Sequence, residues 1–189
     1  MSDTIDRWQA FDGTWLEMRQ MRPSDGPQVK ASLNKLSASA RRSRFFAAIA
    51  EFSDEAVHQL VAVDPRKEYL LVVMRRENDI EIPIGGGRFV QQDDCPNCAF
   101  SLLVGDDWQG QGIGRRLLKS LVREASRRSL RTMYGHVLAD NRPMLVLARS
   151  LRFAFDDSDQ GAEVVKVARE LFDPASQRRR GLFQRLWRR

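Results

Sequence analysis

The stretch Gln109-Gly110-Gln111-Gly112-Ile113-Gly114 constrains this chain more than any other. An apolar run over residues 99–104 leads into it, and an amphipathic helical pattern over residues 115–128 leads out. Three glycines alternating through such a turn let the backbone approach a ligand to a distance that any Cβ would forbid. A turn that opens a helix also leaves several N–H groups without intrahelical partners, at the positive end of the helix dipole. That arrangement receives a phosphate or pyrophosphate without a cationic side chain. The expectation is a phosphate-bearing cofactor.

The elements around the turn narrow its kind. Residues 14–21 alternate apolar and polar after the turn pair Asp12-Gly13 and read as a strand; residues 1–13 read as a polar N-terminal arm. Pro23-Ser24-Asp25 suits the start of a helix over residues 26–36, and Ser53 caps a second helix reaching about Val63. Residues 37–43 are small and polar. Strands are expected over residues 69–74, 82–90 (interrupted by Gly85-Gly86-Gly87) and 99–104, then a helix with apolar positions 113, 117, 118, 121, 122 and 125. A strand over Thr132–Leu138, a helix opened by Asn141-Arg142-Pro143, and two short strands at residues 153–155 and 164–168 complete the order. Short turns between successive strands imply antiparallel pairing, and the strand–helix–strand segment implies one parallel crossover. The fold class is therefore α/β (α+β) with a mixed, mostly antiparallel sheet flanked by helices. A Rossmann unit does not fit that order, and without a Lys-Ser/Thr pair the turn is not a Walker loop.

With that order in place, the residues resemble the GNAT superfamily of CoA-dependent N-acyltransferases. The superfamily hallmark, Gln/Arg-x-x-Gly-x-Gly/Ala after a splayed strand, is matched by Gln109, Gly112 and Gly114. More closely, Asp106-Asp107-Trp108-Gln109-Gly110-Gln111-Gly112-Ile113-Gly114 and Val137-Leu138-Ala139-Asp140-Asn141-Arg142-Pro143-Met144-Leu145 are similar to the acyltransferase part of bacterial protein lysine acetyltransferases, as is Arg19-Gln20-Met21-Arg22-Pro23-Ser24-Asp25. The resemblance implies a GNAT domain over residues 14–172, acetyl-CoA or another acyl-CoA as co-substrate, and an amine acceptor, either a small molecule or a protein lysine. It also implies that Leu102, Leu103 and Val104 line the pantetheine arm with their backbone. In the same way, N–H groups of Gln109, Gly110, Gln111, Gly112, Ile113, Gly114 and Arg115 would hold the pyrophosphate, and Asn141 would touch pantetheine or CoA. A homodimer is left open.

The proton handling departs from the resemblance. Where the lysine acetyltransferases carry a Glu just inside the strand that leads to the glycine turn, this chain has Ala99; where many members place a Tyr in the last helix, it has Ala148. His136 is the candidate replacement base, since imidazole titrates near working pH, and its other reading is a solvent-facing strand histidine. Asp93 and Asp94 could act through water or form a solvated turn, and Glu81 reads as an exposed edge residue. A non-catalytic CoA-binding sensor or scaffold is the competing function.

Cys95-Pro96-Asn97-Cys98 has the spacing of half a zinc site or a redox pair, but no second cysteine pair accompanies it. No metal is expected, and the favoured reading is a reduced, turn-forming pair. The net charge of +6 is concentrated at the end of the chain, where residues 174–189 hold six arginines and no acid. The remaining bases and acids balance at 25 each, so no nucleic-acid groove is expected. Residues 173–189 read as a basic amphipathic tail with Leu182, Phe183, Leu186 and Trp187 on one helical face, suited to an anionic membrane or an acidic partner, to docking on the parent domain, or to remaining disordered. Trp8 and Phe11 in the arm are expected to pack on the fold. An acidic N-terminus without an apolar core, and no run of ~20 apolar residues, lead to the expectation of a cytoplasmic protein.

Overall fold

A computed structural model describes residues 3–78, 80–93, 95–155 and 163–171. Its strands are β1 (Thr4–Gln9), β2 (Trp15–Gln20), β3 (Glu68–Glu77), β4 (Ile80–Gln91), β5 (Asn97–Val104), β6 (Thr132–Leu138), β7 (Ala154–Phe155) and β8 (Val164–Glu170). Its helices are α1 (Gly26–Leu33), α2 (Ala38–Phe45), α3 (Asp54–Val61), α4 (Ile113–Arg127) and α5 (Arg142–Ser150). The strands form one sheet in the order β1-β2-β3-β4-β5-β6-β8-β7. Only β5 and β6 pair in parallel. The expected mixed, mostly antiparallel architecture is the one observed.

Several sequence expectations need correction. The polar N-terminal arm contributes β1, which pairs with β2 across Asp12-Gly13 and buries Trp8 in the core, whereas Phe11 remains 85% exposed. Alternation was too irregular there to announce a strand. Residues 37–43, read as small and polar, lie largely in α2, whose N-cap Ser37 accepts a hydrogen bond from the Ala40 N–H. The first helix ends at Leu33, short of residue 36. The run Gly85-Gly86-Gly87 does not interrupt β4, which continues to Gln91. Helix α4 and the neighbouring strand press against it: a Cβ on Gly87 would meet Leu102 Cδ2 at 2.7 Å and Leu121 Cδ1 at 3.2 Å. The irregularity in β4 sits nearby instead, where the register with β3 slips between Val73 and Met74, opposite Pro83, which has no N–H for the ladder.

Two cores flank the sheet. On one face, Ile113, Leu117, Leu118 and Leu121 of α4 pack on Leu71, Phe89, Cys98, Met133 and Val137, all buried. On the other, α1, α2 and α3 enclose a smaller cluster around Val29, Leu33, Ala40, Phe52 and Val57. That second layer is fixed to β2 by a buried ion pair. Arg19, 2% exposed, donates to both Asp25 oxygens at 2.8 and 2.9 Å and to Glu81 at 2.8 Å. Glu81 is thus an anchored partner, not the exposed edge residue its sequence position suggested. Among the described residues, no helix is long and apolar enough to cross a membrane.

Candidate functional site

The site begins where β5 and β6 part. Their register holds only for Asn97↔Thr132, Cys98↔Met133 and Ala99↔Tyr134. From residue 100 onward β5 pairs with β4 alone, as far as Gly85↔Val104. The Phe100 ring lies at the fork, against Gly135, where a Cβ would come within 2.6 Å of Cε1. Beyond it, residues 100–104 leave their β6-facing edge without a partner strand: alternate residues turn N–H and C=O groups to that edge, and the Val104 carbonyl accepts from Gln109 Nε2 at 3.3 Å. An extended chain with amide groups can dock along such an edge as an additional strand would.

At the end of that edge stands the glycine turn. Gly110 and Gly112 have φ of +74° and +78°, and among the described residues nothing beyond their chain neighbours lies within 4 Å of where a Cβ on either would sit. Backbone conformation therefore requires glycine there, and the space beside it is left free. Gly112 is the N-cap of α4 and offers no side chain to its first-turn N–H groups. By contrast Ser37, Ser53 and Asn141 each cap α2, α3 and α5 with a side-chain oxygen. The N–H groups at Ile113, Gly114 and Arg115 open the helix unpartnered by any cap, and Gln109, Gly110 and Gln111 lead up to them. An exposed edge of amide-binding backbone ending in an uncapped helix fits the pantetheine and pyrophosphate of CoA. Asn141 flanks the mouth of the cleft; its Oδ1 is engaged by the Met144 N–H at 3.2 Å, which leaves its amide NH₂ as the group able to reach a ligand.

His136 lies on β6 one residue beyond Gly135, past the last β5 pair, so it borders the cleft. It is exposed, with its ring edge-on to Tyr134 at 5.8 Å, and it sits across from Lys166 of β8. Tyr134, directly beside Ala99, accepts a hydrogen bond from Gln92 Nε2 at 2.7 Å. The structure thus groups Ala99, Tyr134 and His136 at the fork. Ala148 is elsewhere: fully buried with Leu151 and Phe153 in the α4-side core. Asp93 is exposed and paired with Lys67, and Asp94 falls outside the described residues, as does the basic tail.

The wall of the cleft formed by α2 was not legible in the sequence. Helix α2 packs against β5 and is clipped at both ends. Asp106, just before the glycine turn, accepts from Ser37 N–H at 2.9 Å and Ser37 Oγ at 2.7 Å. Burial alone would raise the Asp106 carboxyl, but the two Ser37 hydrogen bonds outweigh it and hold it below its ordinary value. At the other end Arg42 reaches Asp140 and Glu163, each at 2.8 Å, and so ties α2 to the β6 side. The helix bridges the fork. A cavity of about 330 Å³ opens beside Leu103 under α1, lined by Leu33, Leu36, Gly85 and Trp108 among others.

The cysteine pair does not form a reactive centre. Both thiols are free, and Cys98 is fully buried, which pushes its thiol up to about 12. Among the described residues no group of three candidate ligands could hold a metal ion.

Comparison with known proteins bears on this geometry. A family model described as acetyltransferase (GNAT) family matches residues 33–153. The chain is 28% identical over 163 residues to acetyltransferase PA5475 of Pseudomonas aeruginosa, covering 85% of this chain and 88% of that protein. It is 26% identical over 162 residues to acetyltransferase Pat of Mycolicibacterium smegmatis; this covers 84% of the chain but only 47% of Pat, so the match spans about half of that relative. Among solved structures, the GNAT domain of S. lividans PAT superposes with a TM-score of 0.76 at 20% identity, over 87% of this chain and 96% of that domain, a likeness of fold.

Proposed function

The chain belongs to the GNAT acetyltransferase family, and from that premise we propose how its own residues carry acyl transfer from acetyl-CoA to an amine. The observation that carries the reading is the unpaired edge of β5 running into the uncapped start of α4. Leu102, Leu103 and Val104 offer backbone N–H and C=O groups to the pantetheine amides. The Gln109 N–H already donates to the Asp106 carbonyl at 3.3 Å, so the N–H groups of residues 110–115 hold the pyrophosphate, with Asn141 closing the cleft from α5. Acetyl-CoA supplies the acyl group in activated form as a thioester. A backbone N–H near Leu103 and Val104 then donates to the carbonyl oxygen as negative charge develops there. His136 receives the proton that the attacking amine must lose, directly or through one water. Direct attack needs no nucleophilic side chain, in keeping with the buried, unreactive Cys98.

The acceptor is an amine, and a protein lysine is one candidate beside small molecules. The second reading, a CoA-binding sensor, is favoured by one observation: Ala99 and Ala148 supply no proton-handling group. Incubation of the full chain with acetyl-CoA and a panel of polyamines, amino acids and lysine-containing proteins separates the two. Release of CoA coupled to acceptor acetylation is expected; tight CoA binding with no transfer to any acceptor selects the sensor.

A further inference from the structure

Helix α2 carries two arginines with different situations. Arg42 is exposed and satisfied by Asp140 and Glu163. Arg44 follows the buried Ala40 by one turn and so points the same way, toward the sheet. It is partly buried, its guanidinium lies 4.8 Å from the Phe45 ring centroid, and it has no carboxylate partner among the described residues. The charge that acts on it is another cation, Arg88. Burial and that like charge together push Arg44 down to about 10.

Arg88 is itself half provided for. One terminal nitrogen bonds Glu68 at 2.5 Å, but its Nε is buried with no acceptor. Across the ladder Arg88 faces Ser101, two residues past the last β5–β6 pair. The unsatisfied Arg88 Nε therefore stands over the fork, on the sheet face that α2 roofs, where Ala99 and Tyr134 meet. A cation partly withdrawn from water under the repulsion of a second cation, with an unfilled N–H on the sheet face its helix covers, gains when an anion joins it. A planar guanidinium is suited to the two oxygens of a carboxylate.

We propose that Arg44, with Arg88 Nε, forms an anion subsite in the acceptor cleft, and that the acceptor is an amine bearing a carboxylate close to its nitrogen. This rests on the acyltransferase reading above, whose cofactor half involves none of these side chains.

The test uses the full chain saturated with CoA and titrated with product analogues in matched pairs: N-acetylated amino acids against their carboxamides. Binding is followed by calorimetry and by the NMR signals of the arginine Nε–H groups. At least one carboxylate should bind about tenfold or more tightly than its carboxamide and shift the Arg44 signal. Arg44→Gln should abolish that preference and leave CoA affinity unchanged, and Arg44→Lys should restore part of it. The melting temperature of Arg44→Gln should hold or rise, because a like-charge contact is removed; a purely structural arginine would make it fall. If no carboxylate outbinds its carboxamide, or Arg44→Gln retains the preference, the subsite does not exist. Failure of wild-type protein to bind CoA at all would instead remove the cofactor reading, and this proposal with it.

Discussion

On the α4 side of the sheet, a contiguous cluster of 22 buried residues among those described fixes the helix that carries the glycine turn. On the α1–α3 side the buried cluster has seven residues, and three eight-residue helices depend on polar clips as much as on packing. These clips are Arg19 to Asp25, Ser37 to Asp106, Arg42 to Asp140 and Glu163, and Lys30 to Asp54 at 2.9 Å. The difference has a functional logic. In the proposed function, the half assigned to a constant cofactor is set by apolar packing, which tolerates little change in shape. The half assigned to the acceptor is assembled from separate polar contacts, each replaceable without collapse of the core.

The comparison breaks first at its deepest clip. Arg19→Met leaves Asp25 buried without its partner, and should cost about 3–5 kcal/mol, lowering the melting temperature by on the order of 10 °C in calorimetry. A loss below about 1 kcal/mol would mean that α1 is held by packing after all. His136→Ala should next reduce kcat on the order of a hundredfold, with CoA affinity unaltered in a parallel titration. Unchanged kinetics would return His136 to the role of a solvent-facing strand residue. Asp106→Ala removes both Ser37 bonds and should cost about 1 kcal/mol of stability. Steady-state kinetics should show a several-fold higher KM for the acceptor, while that for acetyl-CoA stays constant; an equal rise in both would show that α2 also shapes the cofactor half.

The smallest effect is a pH dependence. Arg19 holds the Glu81 carboxyl below its ordinary 4.5. Burial would raise Asp25, yet the Arg19 and Arg22 hydrogen bonds bring it below 3.8. Folded values below unfolded ones mean a contribution that is complete above those ordinary values and lost as pH falls through the folded ones. Wild-type stability should therefore decline below about pH 4.5, and Arg19→Met should flatten that decline.

The same asymmetry decides what could be read from the sequence. Leu117, Leu118 and Leu121 repeat at helical spacing, Gly112 and Gly114 punctuate the turn, and Asn141 sits before Pro143, so the cofactor half is written in local signals. The acceptor half is written in partners distant along the chain. Ser37 meets Asp106 69 residues away and Arg42 meets Glu163 121 residues away, and no periodicity encodes either. Helix α2 itself was hidden because Ala38-Ser39-Ala40-Arg41-Arg42-Ser43 shows no apolar stripe; only Ser37 as a cap hinted at it. The Gly85-Gly86-Gly87 run misled for the converse reason. Its meaning is the proximity of α4, a tertiary fact, and not a local turn.

The central claim is that the positive-φ turn before α4 receives the pyrophosphate of CoA through its backbone. Calorimetric titration of CoA into wild-type protein and into Gly112→Val tests it most directly. The account predicts saturable binding at one site in the wild type. In the variant it predicts affinity weakened at least about a hundredfold, because a β-branched residue is strained at φ +78° and its side chain occupies the space left for phosphate. Equal affinity in a folded Gly112→Val protein would contradict it.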